Sequence, residues 1–288
     1  MVTEGAFVAA RFALMIDLAL LMGLPLFWWV MGMAGRPRHV AALALGGLAL
    51  SAFWLLASTA TMTGAPILPS DWSTLHIVLT MTPIGTVLAV RGGALLLVLA
   101  FVLAGRVRLS LLPAAAAAAT LAWTGHAGAT ENMAGQGHRA ADVVHIWAAS
   151  AWIGALVVLL QSLLTHHPTT ANMRHVARML SRFAVMGSLI VVSLVLSGAV
   201  NAVVIVGWDQ LPAMLQARYG LLLTMKLVLF GLMLLLAAAN RWWLTPRLEG
   251  GNDQQAIGWL RLSLALETST AVAIVALVAW LGTLDPLA

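Results

Sequence analysis

The chain has 288 residues, of which 61% are hydrophobic and 9% charged, against roughly 25% charged in an ordinary soluble domain. That composition excludes a soluble globular protein and fits a helical chain that crosses a lipid bilayer many times. The 15 Lys and Arg outnumber the 10 Asp and Glu, a bias that orients loops across a membrane and requires no nucleic-acid partner.

Apolar runs of about 20 residues predict an all-α, polytopic fold with eight transmembrane helices: 6–31, 40–62, 84–105, 109–127, 142–164, 183–206, 219–240 and 261–283. The N-terminus has no basic n-region and no small-residue cleavage site, so 6–31 reads as a retained first span. Loops 32–39, 106–108, 165–182 and 241–261 hold ten arginines, whereas the intervening loops hold only Arg139 and Arg218. The positive-inside rule puts the arginine-rich loops in the cytoplasm and both termini outside it.

Five charges fall within the spans. Arg11, Asp17, Arg91, Lys226 and Glu267 each cost about 2.5–3.5 kcal/mol at mid-membrane on insertion scales, so most should face the bundle interior. Arg11, Arg91 and Lys226 lie toward the outer third, where snorkelling is available. Asp17 is near the midplane. It either pairs internally with Arg91 or Lys226, or lines a cation or proton path. Asn201, in SGAVNA, is a further polar interior residue. Met15 and Met22 share a face of the first span, a spacing compatible with packing or with a methionine ladder. Gly154, in AWIGAL, would let helices approach closely.

Orientation also sorts the histidines. His76, His126, His138 and His145 fall on the outer side. The run WTGHAGATENMAGQGHRAAD (123–142) joins spans 4 and 5 by a short outer loop, which brings His126, Glu131, Met133, His138, Asp142 and His145 to one mouth. His138, Asp142 and His145 lie at i, i+4 and i+7, one face of a helix if the stretch is helical. If Asp142 instead caps span 5, His138 is a loop contributor. With no cysteine in the chain, a soft-metal site would use Met and His, and imidazole and thioether suit Cu(II) and Cu(I) respectively.

Two segments repeat. MTPIGTVLAVRGGALLLVLAFVLAGR (81–106) aligns with QARYGLLLTMKLVLFGLMLLLAAANR (216–241), matching Gly85 to Gly220, Arg91 to Lys226 and Arg106 to Arg241. This predicts two parallel four-span halves, 1–128 and 129–288.

RFAVMGSLIVVSLVLSGAVNA, ARYGLLLTMKLVLFGLMLLLAAANR and RLSLALETSTAVAIVALVAWLGTLDP, in that order, resemble the last three spans of the copper resistance protein D (CopD) family. GHA (125–127) and HIWAASAWIGAL (145–156) resemble its central signature. One departure is Ala217, where the family pattern has a Thr before Tyr-Gly. The resemblance implies a multi-pass bacterial inner-membrane protein that handles copper, working with a periplasmic copper carrier of the CopC type. It carries His126 and His145 over as matched histidines, and Tyr219, Gly220, Lys226 and Glu267 as motif positions.

The leading expectation is copper binding at the outer face, as Cu(I) or Cu(II), and passage through the bundle. His126 and His145 would be ligands, with His138, Met133, Asp142 or Glu131 completing or orienting the shell and His76 a further outer candidate. Asp17 would attract the cation, with Arg91 and Lys226 as counter-charges. The alternatives are a membrane haem b or quinone redox protein using His126 and His145, and a copper-binding assembly subunit without flux. No nucleophile–base pair stands out, so an enzyme is not expected.

Overall fold

The computed structural model describes residues 2–124, 132–165, 170–206, 217–249 and 254–284. All regular structure among them is helical. In chain order the helices are α1 (Val2–Val30), α2 (Pro37–Thr63), α3 (Trp72–Met81), α4 (Pro83–Leu103) and α5 (Leu111–Ala119), the last followed by a 3-10 turn, Thr120–Trp123. Then come α6 (Asn132–Thr165), α7 (Thr170–Val206) and α8 (Arg218–Ala239). A π-turn (Asn240–Leu244), α9 (Thr245–Glu249) and α10 (Gln254–Leu281) complete the chain.

Local chemistry sets several boundaries. Pro37 and Pro83 open α2 and α4, where a missing N–H costs nothing. Thr82 caps α4 by accepting from Ile84 N. Gly64 ends α2 at φ +69°, a left-handed conformation that favours glycine. Within the spans, hydroxyls return to backbone carbonyls one turn back, as Ser162 does to Val158 O and Thr270 to Leu266 O. That satisfies them where lipid offers no partner.

Seven helices are long and apolar enough to cross a membrane: those over α1, α2, α4, α6, α7, α8 with its extension, and α10. The fourth expected span is represented by α5 and its 3-10 turn, nine plus four residues. At about 20 Å it is shorter than the ~30 Å hydrocarbon core. Its alanines 114, 117, 118 and 122 are fully buried, so it is an internal helix packed on α1, α4 and α6.

The arginine-rich loops gather at one end of the bundle. Gly35 abuts Val107, Arg36 Nη1 donates to Gln161 Oε1 at 3.0 Å, and Arg261 Nε donates to Leu163 O at 3.1 Å. At the opposite, arginine-poor end, Arg11 Nη1 donates to Thr124 O at 3.1 Å, and the Arg218 guanidinium lies over Trp280.

α1 is the centre of the bundle. It packs on α2, α5, α6 and α10. Its crossing with α6 is built on two glycines: a Cβ on Gly154 would overlap the Gly23 backbone, and one on Gly23 would fall on the Ser150 carbonyl oxygen, 3.0 Å from Gly154 Cα. By contrast α7 and α8 turn apolar residues outward, among them Val185, Leu189, Leu196, Val228 and Leu235, as lipid-facing helices do. α1 packs on α2 and α5, and α6 packs on α7 and α10.

Three boundaries differ from the sequence reading. α6 begins at Asn132, so Asp142 sits within the helix and does not cap it, and His138 is a buried helical residue, not a loop residue. The polar, glycine-containing stretch before 142 reads as loop, but tertiary packing keeps it helical. α7 begins at Thr170, because Val176, Ala177, Met179 and Leu180 bury one face of an otherwise basic segment. α3 is an extra helix in what reads as an outer loop, with Asp71 as its cap. The Asp71 carboxyl is held below the usual carboxylate range by hydrogen bonds from the Thr74 side chain and backbone and from Ser73 N.

Candidate metal site

At the arginine-poor end, α1, α6, α7, α8 and α10 enclose a cavity of about 240 Å³. Arg11, His138, Asp142, His145, Tyr219 and Lys226 line it, with Asn201 behind Asp142. The helical start of α6 puts His138, Asp142 and His145 on one face, as the i, i+4, i+7 spacing requires.

His145 is held from behind by α7. Its Nδ1 lies 2.9 Å from Ser197 Oγ, and that hydroxyl gives its one proton to the Ser193 carbonyl. Ser197 therefore accepts, Nδ1 donates, and Nε2 carries the lone pair that a metal would use. Gly198 makes the approach possible, since a Cβ there would come within 3.5 Å of His145 Cε1. Asp142 Oδ1 accepts from Asn201 Nδ2 at 3.0 Å. Lys226 is close enough to interact electrostatically with both Asp142 and His145. The cavity thus holds two imidazoles and a carboxylate, with an ammonium group acting as resident counter-charge.

Among the described residues, no three His, Asp or Glu converge to metal-ligand distance. His126 and Glu131 lie outside the described residues, as does the Met133 side chain. His76 is exposed on α3 and is not part of the cavity.

The remaining predicted residues lie elsewhere. Asp17 does not line this cavity. Its carboxylate points at the Gly46–Gly47 pair of α2, where a Cβ on either glycine would lie 2.9 Å from a carboxylate oxygen. Asp17 Oδ2 is buried without a hydrogen-bond partner, and among the described residues no ion pair joins it to Arg91 or Lys226, contrary to the pairing considered from sequence. Arg91 does not snorkel: it is fully buried, donates Nε to Thr120 Oγ1 at 2.7 Å and stacks over Trp54. Met15 lines the cavity from α1, whereas Met22 is packed in the core. Glu267 is 2% exposed and accepts from Asn240 Nδ2 at the other end of the bundle. Sequence reasoning missed Ser197 and Asn240 as partners. The available signal was a polar residue set within each long apolar run.

Residues 177–281 match the family model described as Copper resistance protein D, and residues 1–136 match Copper resistance protein D-like, N-terminal domain. Copper resistance protein D of Pseudomonas syringae pv. tomato is 38% identical over 97% of this chain and 96% of its own length. The chain belongs to the copper resistance protein D family. Inner membrane protein YebZ of Escherichia coli (strain K12) is 31% identical over 58% of this chain and 55% of its own length. No solved structure matches. With its apolar helices, the protein is a multi-pass, copper-related inner-membrane protein.

Proposed function

We propose that the protein binds a copper ion in the arginine-poor cavity and passes it across the inner membrane. In this reading the arginine-poor end is periplasmic, α5 completes eight crossings, both termini lie outside the cytoplasm, and a CopC-type periplasmic carrier delivers the cargo. The observation that carries the reading is the placement of His138, Asp142 and His145 on one face of α6, all lining one cavity, in a chain of this family.

The chemistry follows from the donors. His145 Nε2 and His138 offer imidazole nitrogen, which suits copper in either oxidation state. Asp142 supplies charge, and Lys226 balances it when no cation is bound. Arrival of a cation would displace the ammonium electrostatically, so the empty cavity keeps its carboxylate compensated. His126 and Met133 reach the same mouth by sequence and are proposed as additional donors.

The test is copper stoichiometry and affinity of the purified protein beside His138→Ala and His145→Ala, then copper flux into proteoliposomes. Binding lost in both variants, with folding retained, supports the site. Copper binding unchanged in both returns these histidines to a structural role.

A further inference from the structure

A second cavity, of about 370 Å³, lies below the first on the same helices α6, α7, α8 and α10, toward the arginine-rich end. The two meet at one level. Ile153 lines the upper cavity and its neighbour Trp152 the lower. The Trp152 ring packs edge-on against Phe230 of α8, with centroids 6.2 Å apart. Trp152 thus stands with Phe230 behind it at the level where the two chambers meet.

The lower chamber has a different chemistry. Among the described residues, no His or Met lines it. Its polar centre is Glu267 of α10 and Asn240 of the π-turn, 2% and 5% exposed. The π-turn buries Asn240 while Arg241, Trp242 and Trp243 stay exposed, Arg241 and Trp242 at the chamber's rim, and Thr245 Oγ1 donates to the Asn240 carbonyl at 2.7 Å. Such single-turn widenings recur at functional sites.

Asn240 uses only one edge of its amide. Nδ2 donates to Glu267 Oε1, but Oδ1 is buried with no partner. An amide facing a carboxyl closes two hydrogen bonds only when the carboxyl carries a proton, because only then does the acid donate to the amide oxygen. The donor this arrangement lacks is an O–H on the second Glu267 oxygen.

Charges around the pair leave it uncompensated. Arg241 lines the chamber, but its guanidinium donates to Ser188 Oγ at 2.9 Å and to Ala184 O on α7. α6 presents Trp152, Leu156 and Leu159. On α1, Asp17 faces α2, and on α9, Arg247 is exposed. A lone charge in an apolar enclosure is costly, so a group that can exchange its charge for a proton fits there. Soft Cu(I) has no suitable donor in this chamber.

We propose that Glu267, closed into a ring with Asn240, is a proton-binding site that takes up and releases one proton during copper passage, apart from the copper site. Uptake places a proton from the arginine-rich aqueous side on a Glu267 oxygen, and release returns the carboxylate. The proton's existence stands on the Glu267–Asn240 geometry, while its coupling to flux rests on the transport reading above.

The test separates the two. Infrared difference spectra of the full-length protein, titrated with pH and without copper, should show a protonated-carboxyl stretch. Glu267→Gln should abolish the stretch and Asn240→Ala should shift it. No such band, a band that survives Glu267→Gln, an unshifted band in Asn240→Ala, or a band that follows sodium at fixed pH overturns the proposal. In proteoliposomes, a pH gradient should change wild-type copper flux. Glu267→Gln should lose that response and still bind copper as the wild type does. Wild-type flux indifferent to the gradient overturns the coupling. Absence of any wild-type flux overturns the transport reading and, with it, the coupling, while the infrared band still decides the proton site.

Discussion

The Gly23–Gly154 contact gives a sharp packing prediction, because the same substitution can be made where nothing is near. A Cβ at position 154 falls on the Gly23 carbonyl and Cα, which are backbone atoms of a buried helix and have no rotamer to escape into. To go from 2.2 Å at the Gly23 carbonyl carbon to ordinary carbon contacts of about 3.5–4 Å, α1 and α6 must separate by roughly 1.3–1.8 Å. Overpacking of this kind costs about 1–3 kcal/mol, against about 1 kcal/mol returned by replacing Gly with Ala inside a helix. Gly154→Ala should therefore lose up to about 2 kcal/mol. Gly92→Ala, with nothing within 4 Å of its Cβ, should keep the propensity gain. The two variants share the propensity gain and differ by the overpacking cost, so at roughly 2–4 °C per kcal/mol for a chain of this size they should differ by about 2–12 °C in thermal unfolding followed by intrinsic fluorescence in detergent. Gly23→Ala combined with Gly154→Ala should cost less than the sum, since one separation relieves both overlaps. Equal midpoints for Gly154→Ala and Gly92→Ala would refute the close crossing. Because α1 forms one wall of the arginine-poor cavity through Arg11 and Met15, Gly154→Ala should also weaken the copper binding proposed for it.

Other outcomes follow from single contacts. Ser197→Ala removes the acceptor that fixes the His145 tautomer, and copper affinity measured by competition should fall about 10- to 100-fold, the usual effect of losing a residue that orients a metal-binding histidine. Gly46→Ala brings a methyl to 2.9 Å from Asp17 Oδ1 and should lower the unfolding midpoint. The drop should shrink in an Asp17→Ala background, and an equal drop in both backgrounds would refute the contact. Asp71 stabilises the start of α3 as a carboxylate. Its lowered pKa means the stabilisation is present above the ordinary carboxylate range and is lost as pH falls through the lowered value. Protection of the Ser73 and Thr74 amides, taken relative to the intrinsic exchange rate at each pH, should fall on acidification, and Asp71→Asn should flatten that dependence. Trp152→Ala should connect the two chambers and raise passive cation leak in proteoliposomes; an unchanged leak would show that the barrier lies elsewhere.

Much of the scaffold is legible in the sequence because lipid imposes a simple grammar of long apolar runs and arginine-biased loops. Gly154 is legible too, since a small residue in a tight span has few other uses. At the site, the i, i+4, i+7 pattern of His138, Asp142 and His145 identifies the correct face of α6. What sequence does not reveal is whether the polar stretch before Asp142 stays helical. That depends on burial of His138 by neighbouring helices, not on local propensity. Arg91 reads as a snorkelling cation because its position is near an interface, yet Thr120 and Trp54 hold it fully buried. Asn240 reads as a helix-end residue, because no local pattern distinguishes a π-turn from a regular one.

The division of chemistry between the chambers bears on how the protein would work. A path that carried copper by ligand exchange from one side to the other would repeat imidazole or thioether donors along its length. Here the imidazole donors lie above Trp152, and among the described residues the chamber below it offers carboxyl, amide and hydroxyl groups and the Arg241 guanidinium. The charges of the N-terminal half do not supply the missing steps: Arg91 is bound to Thr120, and Asp17 faces α2 away from both chambers. Two polar chambers on shared helices, with the Trp152–Phe230 aromatic layer at the level where they meet, suit alternating exposure in which α6 and α8 shift relative to one another and the layer opens on one side at a time. In that scheme Lys226 returns to Asp142 when the ion leaves, and Glu267 responds on the far side of the layer. Lys226 balances Asp142 in the empty upper chamber, and a proton balances Glu267 below, so the lower chamber holds an uncompensated charge only while that proton is released.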